Sequence, residues 1–247
     1  MTGMAATGDV AARPDRVSLS LGPYRAEIGT CDSLLSRALE LRRQAFAQHG
    51  ASDADVFDPV ALHGIVTDTA SGRPCVGFRV RIFPTTTDLN LSYTGQFYDL
   101  SPLSRQTGPC LELGRLCQDR MRADPVALRV AWAALTRLAD AQDVALLIGC
   151  SSFAGADTDR HAPALATLKA RHVGPPALRP RRKSPLAFDL PGADVRPGPL
   201  PPLLRSYLGL GGWVSDHAVC DPVLDTVHVF TGLCVADIPN QRKQRLR

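Results

Sequence analysis

Two charged residues stand inside an apolar stretch of this sequence, the segment LELGRLC at residues 111–117. Glu112 and Arg115 are three positions apart, and the residues around them are typical of a buried strand. Charged groups are rarely buried unless a partner or a ligand compensates them. A carboxylate can accept a proton or a hydrogen bond and a guanidinium can hold an anion, so the stretch marks a candidate site for such chemistry.

The spacing of the pair leaves two interpretations open. Successive side chains of an ideal strand point to opposite faces, so residues three apart face opposite sides of the sheet. On that geometry Glu112 or Arg115 is simply solvated, or forms a structural salt bridge elsewhere. The alternative is that both act on one ligand, which an ideal strand does not allow.

Length, composition and cysteine usage restrict the class of protein. The 247 residues are 45% hydrophobic, which is enough for the core of one large domain or two small ones. Seven cysteines without a CxxC pair fit neither a disulfide scaffold nor a zinc module, so we expect reduced thiols, a cytoplasmic location and no metal. The sequence has no apolar run of the roughly 20 residues that cross a bilayer and no signal-peptide core.

Basic residues cluster in two places, although the formal net charge is only +4. The clusters are RPRRK at 179–183 and RKQRLR at 242–247. They could meet anionic lipid at the inner face of the cytoplasmic membrane or an acidic protein, or be a solvated loop and a frayed tail. We expect no nucleic-acid partner.

The first half of the chain predicts a hairpin, a helix and several strands. Residues 1–16 are expected to be disordered, and a domain is expected from 17 to 240, with a basic tail at 241–247. VSLSLGPYRAEIGT predicts a strand or hairpin, and Asp32 an N-cap for a helix that ends at Gly50. ALHGIVTD, PCVGFRVRIF, LNLSY and PCLELGRLC predict successive strands.

The second half predicts strands that alternate with helices. Asp124 and Pro125 suit the start of a helix that continues to about residue 142, and VALLIGCSS is a fully apolar strand. A further helix, DRHAPALATLKARH, precedes a Pro-rich surface linker at 174–202, which we expect to contain no regular structure. A short helix and two strands close the chain. This order predicts an α/β fold whose mixed central sheet carries helices on both faces. A ligand crevice is expected where two neighbouring strands splay apart, or at the carboxyl ends of parallel strands, close to the helix that follows Glu112.

Several other chemistries are disfavoured by spacing. GCSSFAG lacks the Gly-x-Ser-x-Gly of a nucleophile elbow, and GLGGWV is not a dinucleotide-binding Gly-x-Gly-x-x-Gly. No P-loop sequence occurs. Cys150, at a strand end, could be a nucleophile, but an amine can attack a thioester without one.

Seven stretches, in order along the chain, resemble one family. The sequence is similar to the Gcn5-related N-acyltransferase superfamily, in particular to its lyso-ornithine lipid synthase branch (ornithine acyl-carrier-protein N-acyltransferases) and more distantly to the acyl-homoserine lactone synthases. The stretches are LRRQAF, DADVFD, VGFRVRIFPTT, GQFYDLSPL, LELGRLC, GCSSFAGAD and LPPLLRSYLGLGGWV. The resemblance implies the mixed central sheet already expected, and transfer of an acyl group to an amine.

The same resemblance implies roles for individual residues. Glu112 would take, directly or through a water, the proton that an α-ammonium loses before its nitrogen attacks a thioester. Arg115 would hold a carboxylate or the phosphopantetheine arm of the donor. Arg42 and Phe46 would belong to a helix folded over the donor and amine sites.

The remaining implied substrate-binding residues are Asp55, Asp58, Arg81 and Phe97. Asp55 and Asp58 match an acidic pair near the amine substrate, Arg81 an arginine of the RLLPTT-like strand, and Phe97 an aromatic after it. From the residues alone, Arg42 could be a surface residue, the two aspartates could be turn residues, and Phe97 could be core packing.

One departure from the family pattern bears on the acyl donor. After the Glu112 strand the chain reads CQDRMRADPVAL, without the Gly-containing loop that holds the pyrophosphate of coenzyme A in the superfamily. The expected donor is therefore an acyl carrier protein, with its 4'-phosphopantetheine arm as co-substrate and no other cofactor. The expected reaction gives a lyso-aminolipid from a 3-hydroxyacyl chain and ornithine. The alternatives are glutamine as acceptor, an acyl-homoserine lactone synthase, and an inactive module that binds carrier protein.

Overall fold

Eleven strands and five α-helices form the part of the chain that this computed structural model describes, residues 16–46, 53–119, 121, 123–192 and 194–239. The strands are β1 (Val17–Leu21), β2 (Tyr24–Gly29), β3 (Leu62–Asp68), β4 (Pro74–Phe83), β5 (Tyr98–Asp99), β6 (Cys110–Gln118), β7 (Leu146–Ala154), β8 (Arg181–Arg182), β9 (Ala187–Asp189), β10 (Trp213–Asp221) and β11 (Thr226–Cys234). The helices are α1 (Asp32–Ala45), α2 (Thr94–Phe97), α3 (Pro125–Ala141), α4 (Thr158–Arg171) and α5 (Pro202–Gly209).

Nine of the strands join in one mixed sheet, in the order β1-β2-β3-β4-β6-β7-β11-β10-β9. Neighbouring strands are antiparallel except β6 and β7, which are parallel. Along β3, Ile65 packs against α1 and the next residue, Val66, belongs to the core that α3 covers. Because alternate residues of a strand face opposite sides, α1 and α3 lie on opposite faces. The predicted mixed sheet with helices on both faces is confirmed.

The two longest predicted helices form, with small differences at their ends. In α1 the buried residues Leu34, Ala38, Leu41 and Ala45 recur at helical spacing and face the sheet. Cys31 rather than Asp32 occupies the N-cap, and the helix ends at Ala45; the predicted stop at Gly50 lies outside the described residues. α3 begins as predicted, with the Asp124 side chain accepting a hydrogen bond from the backbone N–H of Val126.

Two predictions of secondary structure are wrong. LNLSY is not a strand; residues Thr86–Leu91 form a 3-10 helix, and the Ser92 hydroxyl, donating to the Leu89 carbonyl oxygen, stabilises the bend that follows. The Pro-rich segment 174–202 is not free of regular structure, because β8 pairs with β5 and β9 adds an edge strand to the main sheet. Its prolines lie outside these short strands, so the paired residues keep their N–H groups.

The terminal segments fall largely outside the described part of the chain. This holds for residues 1–15 and for the basic tail at 241–247. The elements from Val17 to Asp237 are described, and nine of their strands share the one sheet. Within the described residues no helix is both long and apolar enough to cross a membrane.

The centre of the sheet contains a wedge between its two parallel strands. β6 and β7 are nine residues each, yet they pair only over Cys110–Glu112 and Leu146–Ile148. Beyond Glu112 and Ile148 they diverge, which is one of the two arrangements that the sequence leaves open for the crevice. Gly149 stands at the point of divergence, where a Cβ atom would overlap the carbonyl oxygen of Leu113.

Gly149→Ala is expected to destabilise the protein by about 1–3 kcal/mol, because the added methyl group must push β6 and β7 apart. Gly114→Ala is the matched control, since a Cβ there would meet no atom within 4 Å. Urea unfolding of both variants measures the difference. Equal unfolding midpoints for the two variants would show that the close approach at Gly149 is not needed.

Candidate active site

A cavity of about 590 Å³ passes through the sheet at the wedge. Its lining on the α1 face is polar and includes Asp55, Arg79, Arg81, Glu112 and Arg115. On the α3 face its lining is apolar and includes Leu113, Trp132, Leu204 and Tyr207. The two faces connect because β6 and β7 no longer pair beyond Glu112. The cavity can therefore hold a molecule that has an apolar part and a charged part.

Glu112 is held in a fixed orientation by the backbone of α2. One carboxylate oxygen accepts a hydrogen bond from the N–H of Thr94 at 2.7 Å and the other from the N–H of Tyr93 at 3.1 Å. The residue is buried and lines the cavity. Because a carboxylate oxygen has two lone pairs, each oxygen can still accept a further bond from a substrate. Glu112 thus both caps α2 and offers an acceptor to the cavity.

A bulge in β6 brings Arg115 into the same cavity. Gly77 of β4 pairs with Cys117 while Arg79 pairs with Gly114, so β6 has one residue more than β4 between these pairs. Arg115 is the residue with the left-handed φ of 52°, which is uncommon for a residue with a side chain. The extra residue reverses the alternation, and Glu112 and Arg115 therefore line one cavity although they are three residues apart.

The unusual conformation of Arg115 is stabilised by its side-chain contacts. Its guanidinium donates to Asp53 at 3.1 Å and to Asp55 at 3.0 Å. The guanidinium carbon also lies 4.8 Å from the ring centroid of Tyr93, a cation–π contact. These contacts offset the strain of a left-handed residue, which is on the order of 1–2 kcal/mol.

Arg115 belongs to a network of three arginines and three aspartates. Arg42 pairs with Asp53 and Asp58, Arg79 pairs with Asp55 and Asp58, and Arg115 joins the aspartates at 53 and 55. Formal charges cancel within the six residues. The network therefore fixes the loop at 53–58 against α1, β4 and β6 without leaving net charge in the interior.

The centre of this network is Asp58, which is 4% exposed. Burial alone raises the pKa of this carboxyl, but hydrogen bonds from Arg42, the backbone of Asp55 and Arg79 lower it to about 2. Asp58 is therefore ionised at neutral pH. Its ionised form holds the two neighbouring guanidinium groups in place.

Arg81 also lines the cavity, but it takes no part in the network of three arginines and three aspartates. It donates to the backbone carbonyl oxygen of Leu91 at 2.6 Å and stacks on Phe83. Among the described residues, no carboxylate lies within ion-pairing distance of it. Arg81 is also the direct cross-strand partner of Glu112, so the two side chains are neighbours on one face of the sheet.

Some of the predicted site residues line the cavity, and the others stabilise the residues around it. Glu112, Arg115, Arg81, Asp55 and the 40% exposed Phe46 line the cavity. Three other predicted residues do not line it; they are Arg42, Asp58 and Phe97. The first two form buried ion pairs, and the Phe97 ring packs against those of Tyr93 and His228. The geometry favours a positioning role for these three over direct contact with a substrate.

Sequence reasoning missed several residues of the lining, among them Asp53, Arg79 and Tyr93. Arg79 carried a usable signal, because it is a charged residue in an apolar strand and lies two positions from Arg81, on the same face. Tyr93 was hidden by the wrong assignment of LNLSY as a strand. For Asp53 we find no signal beyond the cluster of aspartates around it.

Cys150 lies in the wedge but is poorly suited to be a nucleophile. Burial and the nearby Glu112 both raise the pKa of its thiol well above the ordinary value. The thiol is therefore neutral, and the site fits direct attack by an amine better than a covalent acyl-enzyme.

The basic stretch at 179–183 lies beside α2. β8 pairs with β5, and the Lys183 ammonium donates to the backbone carbonyl oxygen of Gly95 at 2.5 Å. Since Glu112 caps the same helix, this stretch is one turn of helix away from the cavity. Its predicted contact with anionic lipid or an acidic protein stays a prediction.

Comparison with known proteins finds one family model and several relatives that this chain resembles. A family model described as an acetyltransferase (GNAT) domain matches residues 36–133. L-ornithine N(alpha)-acyltransferase of Rhodobacter capsulatus is 29% identical over 188 residues, 72% of this chain and 73% of that protein. The protein of the same name from Brucella abortus is 28% identical over 246 residues, 90% of this chain and 88% of that protein.

Solved structures are more distant. An N-acyl amino acid synthase from uncultured soil microbes is 10% identical with a TM-score of 0.46, over 86% of this chain and 91% of that one. A CoA-dependent acyl-homoserine lactone synthase is 13% identical, also with a TM-score of 0.46, over 87% of this chain and 81% of that one.

Proposed function

We propose that this acyltransferase transfers a long 3-hydroxyacyl group from acyl carrier protein to the α-amine of ornithine. The product is a lyso-ornithine lipid. The observation that carries the proposal is the cross-strand pair of Arg81 and Glu112 in one cavity. An unpaired cation beside a carboxylate complements the α-carboxylate and α-ammonium of an amino acid.

The acidic residues of the cavity favour ornithine over glutamine as the acceptor. The carboxylate of Asp55 lines the cavity and is the most exposed of the three aspartates in the network, at 22%. Both oxygens of Asp55 are paired with arginines, but Oδ2, which accepts a hydrogen bond from Arg115, keeps a lone pair that a δ-ammonium group can approach. A cation gains more from a carboxylate than the neutral amide of glutamine does. The names of both relatives above support the same choice.

The reaction proposed is direct attack of the amine on the thioester. Arg81 holds the α-carboxylate of ornithine, which places the α-nitrogen next to Glu112. Glu112 takes the proton of the α-ammonium, and the freed nitrogen forms a bond to the thioester carbon. The tetrahedral intermediate then collapses as its nitrogen loses a second proton, the carbon–sulfur bond breaks, and this proton leaves on the thiol, while the proton on Glu112 passes to solvent.

The first turn of α3 supports a carrier protein over coenzyme A as donor. A helix N-terminus after the wedge strand would favour a pyrophosphate. Here the side chain of Asp124 already accepts the N–H of Val126, and Tyr24 donates to the same carboxylate. This fixed negative charge repels a pyrophosphate, while the phosphopantetheine of a carrier protein has none to place there.

The test is a mass-spectrometric assay of the purified protein. 3-Hydroxyacyl carrier protein and the matching 3-hydroxyacyl coenzyme A are each supplied with ornithine, glutamine or S-adenosylmethionine. We expect N-acylornithine, formed faster from the carrier protein. Acylation of glutamine alone would show that ornithine is not the acceptor. Faster reaction with 3-hydroxyacyl coenzyme A would show that the carrier protein is not the preferred donor. An acylated lactone formed from S-adenosylmethionine would overturn the whole proposal.

A further inference from the structure

A second pocket, of about 720 Å³, lies beside β5 and β8 and is rich in arginine. Its four arginines are Arg105, Arg179, Arg181 and Arg182, and Asp216 is the one carboxylate among the described residues that line it. None of these residues lines the cavity at the wedge. Four guanidinium groups and one carboxylate leave the pocket with a strong positive charge, which attracts anions.

The walls of this pocket are fixed by the core beneath them. Two walls contain the 3-10 helices Ser101–Arg105 and Pro176–Leu178, and the leucine of each helix packs in the core that also contacts Phe97 of α2. The third wall is β10 at its bulge, where Asp216 lies 3.6 Å from the guanidinium of Arg179. The arginines are therefore carried by segments that are distant in sequence and packed together.

Two of the four guanidinium groups have no carboxylate partner. Arg179 pairs with Asp216, and Arg182 pairs with Asp189. Arg105 and Arg181 are exposed, and among the described residues no carboxylate lies within ion-pairing distance of either. Like charges that share one pocket repel each other, and an anion that binds among them removes this repulsion.

The groups in the lining suit a phosphate. A guanidinium can donate two parallel hydrogen bonds to phosphate oxygens. Ser101 and Ser104 also line the pocket, and their hydroxyl groups are further possible donors. The volume lies within the range of about 300–1,000 Å³ that is usual for small-molecule sites. A concave site of this size fits a small phosphate-bearing group better than the surface of an acidic protein.

The surroundings of the pocket favour a phospholipid over a free phosphate. The ion pair of Arg182 with Asp189 closes a loop between the two residues, and this loop carries Leu186 beside the pocket. The Leu186 side chain is 47% exposed. Exposed leucine next to clustered basic residues is typical of surfaces that lie on anionic membranes.

We propose that the arginine pocket binds the phosphate of an anionic phospholipid and holds the protein on a membrane surface. Arg105 and Arg181 bind the phosphate oxygens, and Leu186 enters the interfacial layer. β8 of the pocket pairs with β5, which follows α2, and Glu112 caps that helix. Docking at the pocket therefore brings the cavity close to the bilayer. A lipid product can leave into the bilayer there, and only this consequence depends on the function proposed above.

The test is flotation of the purified protein with vesicles of phosphatidylcholine, with and without phosphatidylglycerol. We expect binding only to the vesicles that contain phosphatidylglycerol. The double variant Arg105→Gln with Arg181→Gln should bind them about 30-fold more weakly, the effect of two arginines at an anionic surface.

Arg129→Gln with Arg137→Gln is the matched control. Both arginines are exposed on α3, on the opposite face of the sheet, and the control removes the same charge. It should bind the vesicles nearly as well as the unmodified protein. Thermal unfolding of both double variants checks that they fold, since exposed arginines without ion pairs contribute little to stability.

Four results would overturn the proposal. They are no binding to phosphatidylglycerol vesicles, and equal losses in the two double variants, which would indicate attraction to net charge alone. Calorimetric binding of inorganic phosphate without binding to vesicles would assign the pocket to a free phosphate. A raised KM for the carrier-protein donor in the Arg105 and Arg181 variant, again without vesicle binding, would assign it to the carrier protein. Vesicle binding requires no acyl transfer, so it is measured independently of the proposed function.

Discussion

Glu112→Gln is expected to lower kcat/KM for acylation of ornithine by at least about 100-fold, the usual effect of removing a general base. Glutamine has nearly the same shape, and its carbonyl oxygen can still accept one of the two α2 backbone N–H groups. The loss therefore reports the charge of the carboxylate more than its place in the fold. Steady-state rates, with thermal unfolding of the same samples, measure the two effects separately.

The pH dependence distinguishes proton transfer from helix capping. As pH rises, more of the free ornithine already carries a neutral α-amine, and the need for a base decreases. We expect the deficit of Glu112→Gln to shrink with increasing pH. A deficit that is constant with pH would assign Glu112 to positioning of α2 alone. Glu40→Gln is the control, since Glu40 is exposed on α1 and, among the described residues, its hydrogen bonds are to Arg43 and Gln44 of that helix.

Arg42→Ala is expected to destabilise the protein by about 3–5 kcal/mol, the range for removal of one partner from a buried ion pair. Arg42 is 1% exposed, and its loss leaves the carboxylates of Asp53 and Asp58 without their shared cation. The measurement is urea unfolding at neutral pH, where Asp58 is ionised.

The next residue of the same helix provides a matched control. Arg43 is exposed and pairs with Glu40 one turn away, so Arg43→Ala should leave the unfolding midpoint nearly unchanged. Similar midpoints for both variants would show that the network is not needed for stability. If Arg42→Ala stays folded but loses most of its activity, Arg42 has a direct role in substrate binding, as the sequence resemblance implies.

The ion-pair network has a consequence for the chemistry of the cavity. Since its three arginines and three aspartates compensate one another, they form a rigid wall with little net charge. Arg81 and Glu112, which lie outside the network, remain available to the α-carboxylate and α-ammonium of an amino acid, and Asp55 is the network member exposed enough to meet a δ-ammonium. Because the charges of the network compensate one another, many charged side chains can surround a single small substrate without competing for it.

The sequence alone determined most of the elements and the place of the site. The alternation in β6, the Asp124 and Pro125 start of α3 and the apolar run of β7 are local signals, because propensity and hydrophobic spacing act over a few residues. They were enough to predict a mixed sheet with a ligand crevice close to the helix that follows Glu112. The motif stretches selected most of the cavity residues.

Only the tertiary structure decided how those residues work together. The bulge at Arg115 depends on pairing with β4 and on the aspartates at 53 and 55, which are distant in sequence; without it, Glu112 and Arg115 would face opposite sides. The burial of Arg42 and the indole of Trp132 at the cavity wall are likewise set by contacts between distant segments. Local patterns cannot encode such contacts, because they arise when separate elements pack.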